Sequence, residues 1–487
     1  MAGDKATVPG VFSPPPRGAN ALEDTDGDEP EDVDEWRLEA SVSELKVATI
    51  GNVDSGKSTL VGVLTKGMLD DGRGKARSKV FNFTHEQSNG RTSSIAQEIM
   101  GFGEDGEHIV TDRASTQTGP LTAAAKNAQW HQIMSASKQV VTFIDLCGHE
   151  KYLKTTIFGL VGLCPDYAMI VVNANAGFQR MSREHLGIAL ALKIPITIVV
   201  TKIDIAPQNV YDENLAFLQR LLKSGAVKRE PVVIKSQEDL PAAVVGLRQD
   251  RMCPIFCVSN VTGEGLDLLR SFVRRMSPRL RESGLFRSPS DPAEFTIDSV
   301  YQVTGVGVVV AGLMKSGRIR PNQHLMLGPD KSSQFTPVLV RTIHRRRVAT
   351  DLVETGQACS FSLRSLDKKV TLKKNSFRKG MVLADAAIHP RATFEFKAEV
   401  VILHHATTIR KGYQAMIHCG VIRQAAMVKE MSEELLRTGD RSIVTFRFVY
   451  HGEYVLNGST ILFREGRTKG LGKIVGLVHD GECEEPS

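Results

Sequence analysis

The stretch Leu45-Lys-Val-Ala-Thr-Ile-Gly-Asn-Val-Asp-Ser-Gly-Lys-Ser-Thr59 decides how the rest of the chain is read. Leu45–Ile50 is a short apolar strand that ends on a glycine. Gly51–Ser58 fits GxxxxGK[ST], and Lys57–Thr65 reads as the helix that follows. A glycine-rich turn between a strand and a helix lets backbone amides converge on phosphate oxygens, and the helix N-terminus adds favourable partial charge. In that frame Gly51, Asn52, Val53, Asp54, Ser55, Gly56, Lys57, Ser58 and Thr59 line the phosphates. Lys57 neutralises the β- and γ-phosphates and Ser58 ligates Mg²⁺.

Outward from this loop, apolar strand runs alternate with helical patterns. Val140–Asp145, Tyr167–Asn173, Ile194–Val200 and Cys253–Val258 read as strands. Ser182–Leu192, Asn214–Lys223 and Gly265–Met276 read as helices. Such alternation predicts βαβ units and a doubly wound, mostly parallel α/β sheet. Gly67–Ser137 has no sustained period and is expected to be loop with short pieces of structure. After Ser277 the pattern changes to short alternating strands with glycine-bearing turns, which predicts one or two small β-barrels. The expected divisions are a disordered acidic tail over 1–44, a nucleotide domain over 45–285, barrels over 294–390 and 393–478, and an acidic tail over 479–487.

The 487 residues carry a net charge of +6, with 41% hydrophobic and 24% charged residues, as in ordinary soluble globular proteins. Twelve acidic against three basic residues leave the first 45 at −9 and the remainder at +15. A basic body of that kind suits a polyanionic partner. No apolar run approaches the ~18–20 residues of a membrane span, and the N-terminus has no apolar signal region. Seven scattered cysteines with no CxxC pair read as reduced thiols of a cytoplasmic protein.

Two further motifs name the base and the reaction. Thr201-Lys-Ile-Asp204 follows a strand, as the TKxD form of a guanine-binding motif. Asp204 can accept from the N1 and N2 hydrogens of guanine, a donor pair that adenine lacks, and the stem of Lys202 can lie along the base. Ser259, Asn260 and Val261, after the next strand, stand where a third base-contacting loop belongs. Asp145-Leu-Cys-Gly148 is a DxxG at a strand end. Asp145 would hold Mg²⁺ through water and Gly148 would meet the γ-phosphate. His149 follows, where a histidine can orient the attacking water of GTP hydrolysis.

Together these residues resemble the translational GTPases of the elongation factor Tu type. Leu69–Gly74, Gly90–Ser94, Phe143–Thr156, Arg251–Pro254, Ser259–Gly263, Leu403–His405, Tyr413–Met416, His418–Gly420 and Phe463–Thr468 resemble more closely the GTP-binding protein 1/2 subfamily. The resemblance covers about residues 45–478. It implies a P-loop GTPase domain followed by two β-barrels, with GTP/GDP and Mg²⁺ as ligands. Thr92 would be the switch I threonine on Mg²⁺, and Asp54 would hold a monovalent cation. The implied partners are the ribosome and aminoacyl-tRNA, the implied state a monomer away from membranes. An adaptor in RNA surveillance, meeting the RNA-decay machinery, is the other reading of the same fold.

Departures from the family pattern carry information. Val53 fills one side of the hydrophobic gate that covers the catalytic histidine in elongation factor Tu, but Arg91 stands where an isoleucine belongs. Thr201 replaces the more usual asparagine, so one bond that tethers the loops is expected to differ. Residues 99–138 exceed the corresponding stretch and have no assigned role. Arg341, His344, Arg345, Arg346 and Arg347, and Lys368, Lys369, Lys373, Lys374, Arg378 and Lys379, form two basic clusters that could meet RNA phosphates.

Overall fold

A central parallel strand is buried on both faces and must be apolar along its length. Val47, Ala48 and Ile50 meet that demand, and the strand β1 (Ser43–Gly51) is buried from Leu45 onward. The computed structural model describes residues 43–111, 123–279, 286–367, 372–404, 407–465, 468–479 and 482–483. β1 is joined in one sheet by β2 (Ala96–Phe102), β3 (His108–Ile109), β4 (Gln139–Asp145), β5 (Tyr167–Asn173), β6 (Ile196–Thr201), β7 (Glu230–Val233) and β8 (Met252–Val258). The order is β3-β2-β4-β1-β5-β6-β8-β7, and every neighbouring pair is parallel except β2 with β3 and β2 with β4.

Alternate residues of each strand feed two separate cores. Leu45, Val47, Phe143 and Val171 pack with Leu60 and Leu64 of the helix Lys57–Lys66 and with Leu269 and Phe272 of Leu266–Arg275. Ala48, Ile50, Ile144 and Ile170 pack on the other face with Ile157, Leu186 and Leu218, each from a different helix. β1, β5 and β6 end on one edge of the sheet, where the loops that follow them meet.

Two closed antiparallel barrels of six strands follow. In the first, His324–Gly328 closes on Thr336–Arg345 around Phe295 and Phe361, whose rings meet edge to face at 4.7 Å. In the second, Glu395–His404 closes on Thr468–His479 around Phe396, Phe446 and Phe463. Among the described residues no helix is long and apolar enough to cross a membrane.

The structure corrects three expectations. Gly67–Ser137 holds far more than short pieces: it contains β2 and the 14-residue helix Ala123–Ala136. Glu44 does not belong to a loose tail but sits in β1. Residues 1–42 of the acidic stretch lie outside the described residues, as does most of 479–487. Lastly, the first basic cluster is not a free face. Arg345 Nε and Arg346 Nη2 donate to Glu44 at 2.6 and 3.2 Å, all three side chains being at most 6% exposed. Arg347 sits over the Trp130 ring, 4.9 Å from its centroid, and donates to Asn127. Arg341 alone of the arginines in that cluster is exposed. In the second cluster Arg378 pairs with Glu453 and Lys379 lies over Phe158, while Lys368 and Lys369 lie outside the described residues.

Arg346 and Arg347 form a two-residue turn, with φ of +49° and +72°, between Thr336–Arg345 and Val348–Thr350. Side chains adopt that conformation at a cost, and asparagine and glycine are its usual occupants. The ion pairs and the ring contact hold the two arginines there. Burial pushes the Glu44 carboxyl up, but Arg346 and Arg345 outweigh it and hold the group at about 2.

Glu44→Ala would leave two buried guanidinium groups facing each other and is expected to destabilise the protein by about 3–5 kcal/mol in denaturant unfolding. The folded value lies below the ordinary 4.5, so the carboxylate contributes fully above that pH and its contribution is lost as pH falls towards 2. The stability gap between the wild type and Glu44→Gln should therefore narrow as pH drops below about 4.5.

Candidate nucleotide-binding site

The loop after β1 turns on residues that suit its backbone. Gly51 has a φ of +143°, and a Cβ there would lie 2.3 Å from the Val171 carbonyl oxygen. Gly56 is left-handed at the N-terminus of the helix Lys57–Lys66, and Asp54 at the loop apex has a φ of +60°. Lys57 Nζ donates to the Asn52 carbonyl at 2.6 Å and Ser55 Oγ to the same oxygen at 2.9 Å. Lys57 is buried, and burial lowers its pKa against the pull of Asp145. Thr59 is half-buried in the first helical turn.

Three oxygen-bearing side chains meet beside Lys57. Ser58 Oγ donates to Asp145 Oδ2 at 2.5 Å and lies 2.7 Å from Thr92 Oγ1. Thr92 Oγ1 is 3.4 Å from the same Asp145 oxygen. Asp145 is fully buried, its Oδ1 has no hydrogen-bond partner among the described residues, and burial lifts its pKa to about 6 against Ser58 and Lys57. A hard divalent cation takes oxygen ligands and few protein groups. The orphaned carboxylate oxygen, the two hydroxyls and the raised pKa fit Mg²⁺.

Gly148 packs against this group so closely that a Cβ would lie 2.5 Å from Lys57 Nζ and 2.7 Å from the Asn52 carbonyl. His149 follows and is exposed. Its Nδ1 accepts from the Lys151 amide at 3.1 Å, capping the turn Glu150–Tyr152. His149, Val53, Asp54 and Arg91 share one cavity of about 380 Å³. The two gate positions expected from the sequence thus line the same cavity as the histidine.

The loops expected to contact the base sit at the ends of β6 and β8. Thr201 Oγ1 donates to the Ser55 carbonyl at 2.7 Å, so the threonine keeps a tether to the phosphate loop. Ser259 is fully buried and its Oγ accepts from the Val261 and Thr262 amides. Asn260 is 7% exposed, with Oδ1 unpartnered among the described residues. Lys202 has a left-handed backbone and is half-buried, while Asp204 and Val261 lie at the exposed rim.

Sequence reading missed three residues of the site. Glu86 is 1% exposed and accepts from Ser93 and Ser94 through both amides and both hydroxyls, which pins the segment after Thr92. Burial raises its pKa, but those hydrogen bonds win and lower it. His185 accepts from the Gly51 amide at 3.2 Å, and burial drops its pKa to about 3, so the ring stays neutral. Glu98 on β2 is fully buried between Lys66, at the end of the phosphate-loop helix, and Lys126. A glutamate inside the polar run Thr84–Asn89 gives no sequence signal, nor does a lone histidine on a helix.

This geometry agrees with what the chain is similar to. The model of the elongation factor Tu GTP-binding domain matches residues 43–279. GTP-binding protein 1 of Xenopus laevis is 47% identical over 435 residues, covering 89% of this chain and 64% of the relative. GTP-binding protein 2 of Homo sapiens is 41% identical over 445 residues, covering 91% of this chain and 71% of the relative. The chain belongs to the translational GTPases of the elongation factor Tu type, in the GTP-binding protein 1/2 subfamily. It spans 64% of the length of the frog member of this subfamily. The fold of this translational GTPase is also that of the GTPase-like domain of Ski7 from S. cerevisiae, solved with GTP bound. The two superpose with a TM-score of 0.63 over 91% of this chain and 99% of that one, at 14% identity.

Gly148→Ala would drive a methyl group into Lys57 and the Asn52 backbone. The expected outcome is a loss of at least about tenfold in affinity for a GTP analogue, with GDP affected less, by equilibrium titration.

Proposed function

We propose that this protein is a GTP-hydrolysing switch that carries aminoacyl-tRNA to the ribosome in the cytoplasm, as a monomer. The observation that carries the switch reading is Thr92, drawn in to 2.7 Å from Ser58 and 3.4 Å from Asp145. A threonine from the long segment after the phosphate loop that reaches the metal-binding residues ties that segment to the nucleotide. The loop Gly51–Thr59 would bind the phosphates, with Lys57 as their counter-charge. Lys202, Asp204 and the loop Ser259–Val261 would hold the guanine. Mg²⁺ at Ser58, Thr92 and Asp145 would neutralise phosphate charge when bound. A monovalent cation at the exposed Asp54 belongs to the same reading.

His149 is proposed as the catalytic residue. Its Nδ1 accepts a backbone hydrogen, so the neutral ring carries its own proton on Nε2 and presents a donor. Such a ring positions a water by hydrogen bonding; it does not take the water's proton at that atom. Positioning is most of what phosphoryl transfer asks of a protein. The ring is exposed here, so docking on a large partner would supply the force that turns it towards the γ-phosphate.

The cargo reading is supported by membership of the elongation factor Tu type and by the two closed barrels behind the GTPase domain. A second reading, a GTP-switched adaptor in RNA surveillance or mRNA decay, is supported by Arg91. A charged, flexible side chain opposite Val53 is a poor apolar gate, which favours slow hydrolysis under different control.

GTP hydrolysis should rise on addition of ribosomes, and the GTP-bound protein should retain aminoacylated tRNA over deacylated tRNA in a filter-retention assay. Equal retention of both forms sinks the carrier reading, and hydrolysis indifferent to ribosomes favours the adaptor. In the same assay His149→Ala is expected to lose the stimulated rate by about 100-fold or more while its GTP affinity stays as in the wild type.

A further inference from the structure

Water attacking the γ-phosphate of GTP forms a new P–O bond as the bond to the β–γ bridging oxygen breaks. GDP leaves with the electron pair, and both hydrogens of the water leave with inorganic phosphate. In the transition state negative charge is spread over the γ-oxygens. Positive charge placed where that charge develops speeds the step. Lys57 is one such charge. The cavity of about 380 Å³ that His149 lines adjoins it, because Asn52 also lines the cavity and the Asn52 carbonyl accepts from Lys57 Nζ at 2.6 Å.

Among the described residues that line this cavity, Arg91 alone carries a permanent positive charge. Cations close by in the sequence to His149 are engaged elsewhere. Arg180 donates to Glu150 at 3.2 Å, and Lys151 lies 5.8 Å from the centroid of the Tyr152 ring. Arg91 is exposed, and its side chain has no hydrogen bond or ion pair among the described residues. Its backbone is fixed on both sides. Gly90 before it is left-handed, with a φ of +63°, and closes the helix Thr84–Asn89. Thr92 after it lies 2.7 Å from Ser58, and buried Glu86 accepts from the Ser93 and Ser94 amides at 2.7 and 2.9 Å. The result is a cation with a fixed root and a free head.

His149 and Arg91 stand in the same relation to the phosphate site. His149 follows Gly148, which packs on Lys57, and Arg91 precedes Thr92, which meets Ser58 and Asp145. Consecutive Cα atoms are about 3.8 Å apart. A side chain as long as arginine's, rooted next to that threonine, spans the distance to a γ-phosphate oxygen. We propose that Arg91 is a catalytic residue whose guanidinium donates to γ-phosphate oxygens in the transition state and adds to the charge that Lys57 supplies. The inference rests on the reading of this site as a GTPase centre. The planar fork of the guanidinium suits two oxygens of one phosphate at once. At rest the head points away from its work, so hydrolysis is slow until the side chain turns inward.

The test uses the full chain, in single-turnover GTP hydrolysis read by phosphate release, with and without ribosomes. Arg91→Ala should lose about 100-fold or more of the rate in both conditions, with its affinity for a non-hydrolysable GTP analogue within about twofold of the wild type's. Its affinity for GDP with aluminium fluoride, which mimics the γ-phosphoryl group in transfer, should fall along with the rate. Arg91→Lys keeps the charge without the fork and should recover part of the loss. Arg91→Ile should be as slow as Arg91→Ala. Hydrolysis by Arg91→Ala or Arg91→Ile at the wild-type rate overturns the proposal. So does an equal loss of rate and of affinity for the GTP analogue, which marks a residue that only holds the loop together. A loss confined to the ribosome-stimulated rate and matched by weaker ribosome binding overturns it in favour of a contact with the ribosome. Wild-type protein that hydrolyses GTP in neither condition overturns the GTPase reading beneath it.

Discussion

The buried carboxylate of Glu44 is the constraint around which the domains are arranged. It sits near the start of the central strand that delivers the phosphate loop, and it is shared by Arg345 and Arg346 at the tip of a barrel hairpin. The contact continues sideways. Arg347 reaches Asn127 and Trp130 on the helix Ala123–Ala136. Lys126 of that helix meets Glu98, and Glu98 meets Lys66 at the end of the phosphate-loop helix. Charge pairs therefore join the phosphate-loop helix to the helix Ala123–Ala136, and a hydrogen bond and a ring contact join that helix to the first barrel. Ile99, Ile133, Met134 and Val140 close round Trp130 as a small core of their own, with Val348 of the barrel packed against it.

Much of the site was legible because its chemistry is local. A phosphate loop, a DxxG and a TKxD each need a few residue types at short spacing, and each stands at the end of a strand that the apolar runs predict. The two barrels were legible from alternation and turns. What escaped was set by distant partners. The helix Ala123–Ala136 touches the sheet on one side and a barrel on another, so it has no single apolar stripe to betray it. The run of arginines at 345–347 looks like a solvated patch until Glu44, three hundred positions away, is seen to neutralise it. Glu86 shows no motif, because its work is to accept from two serines seven and eight residues on.

The two kinds of buried charge in this protein serve opposite ends. Around Glu44 and Glu98 every carboxylate has its cations, and the structure gains definition: a hairpin has one seat and a helix one register. At Asp145 the carboxylate is left half satisfied, with one oxygen unpartnered among the described residues and its pKa raised. The site is held together by hydroxyls on one side only. Such a centre is stable as part of a larger structure and incomplete as chemistry, which is the condition in which a binding site gains most from its ligand.

The stack of Arg347 on Trp130 has an optical consequence. The chain has two tryptophans, and the other, Trp36, belongs to the acidic arm. Trp130 is 5% exposed, and its environment is made jointly by a strand that follows the switch, by a helix and by the tip of a barrel. An indole covered by a guanidinium and shielded from water changes its emission when that cover lifts. With Trp36 replaced by phenylalanine, the protein carries its own unlabelled gauge of whether the first barrel stays seated, readable in real time as guanine nucleotide is added.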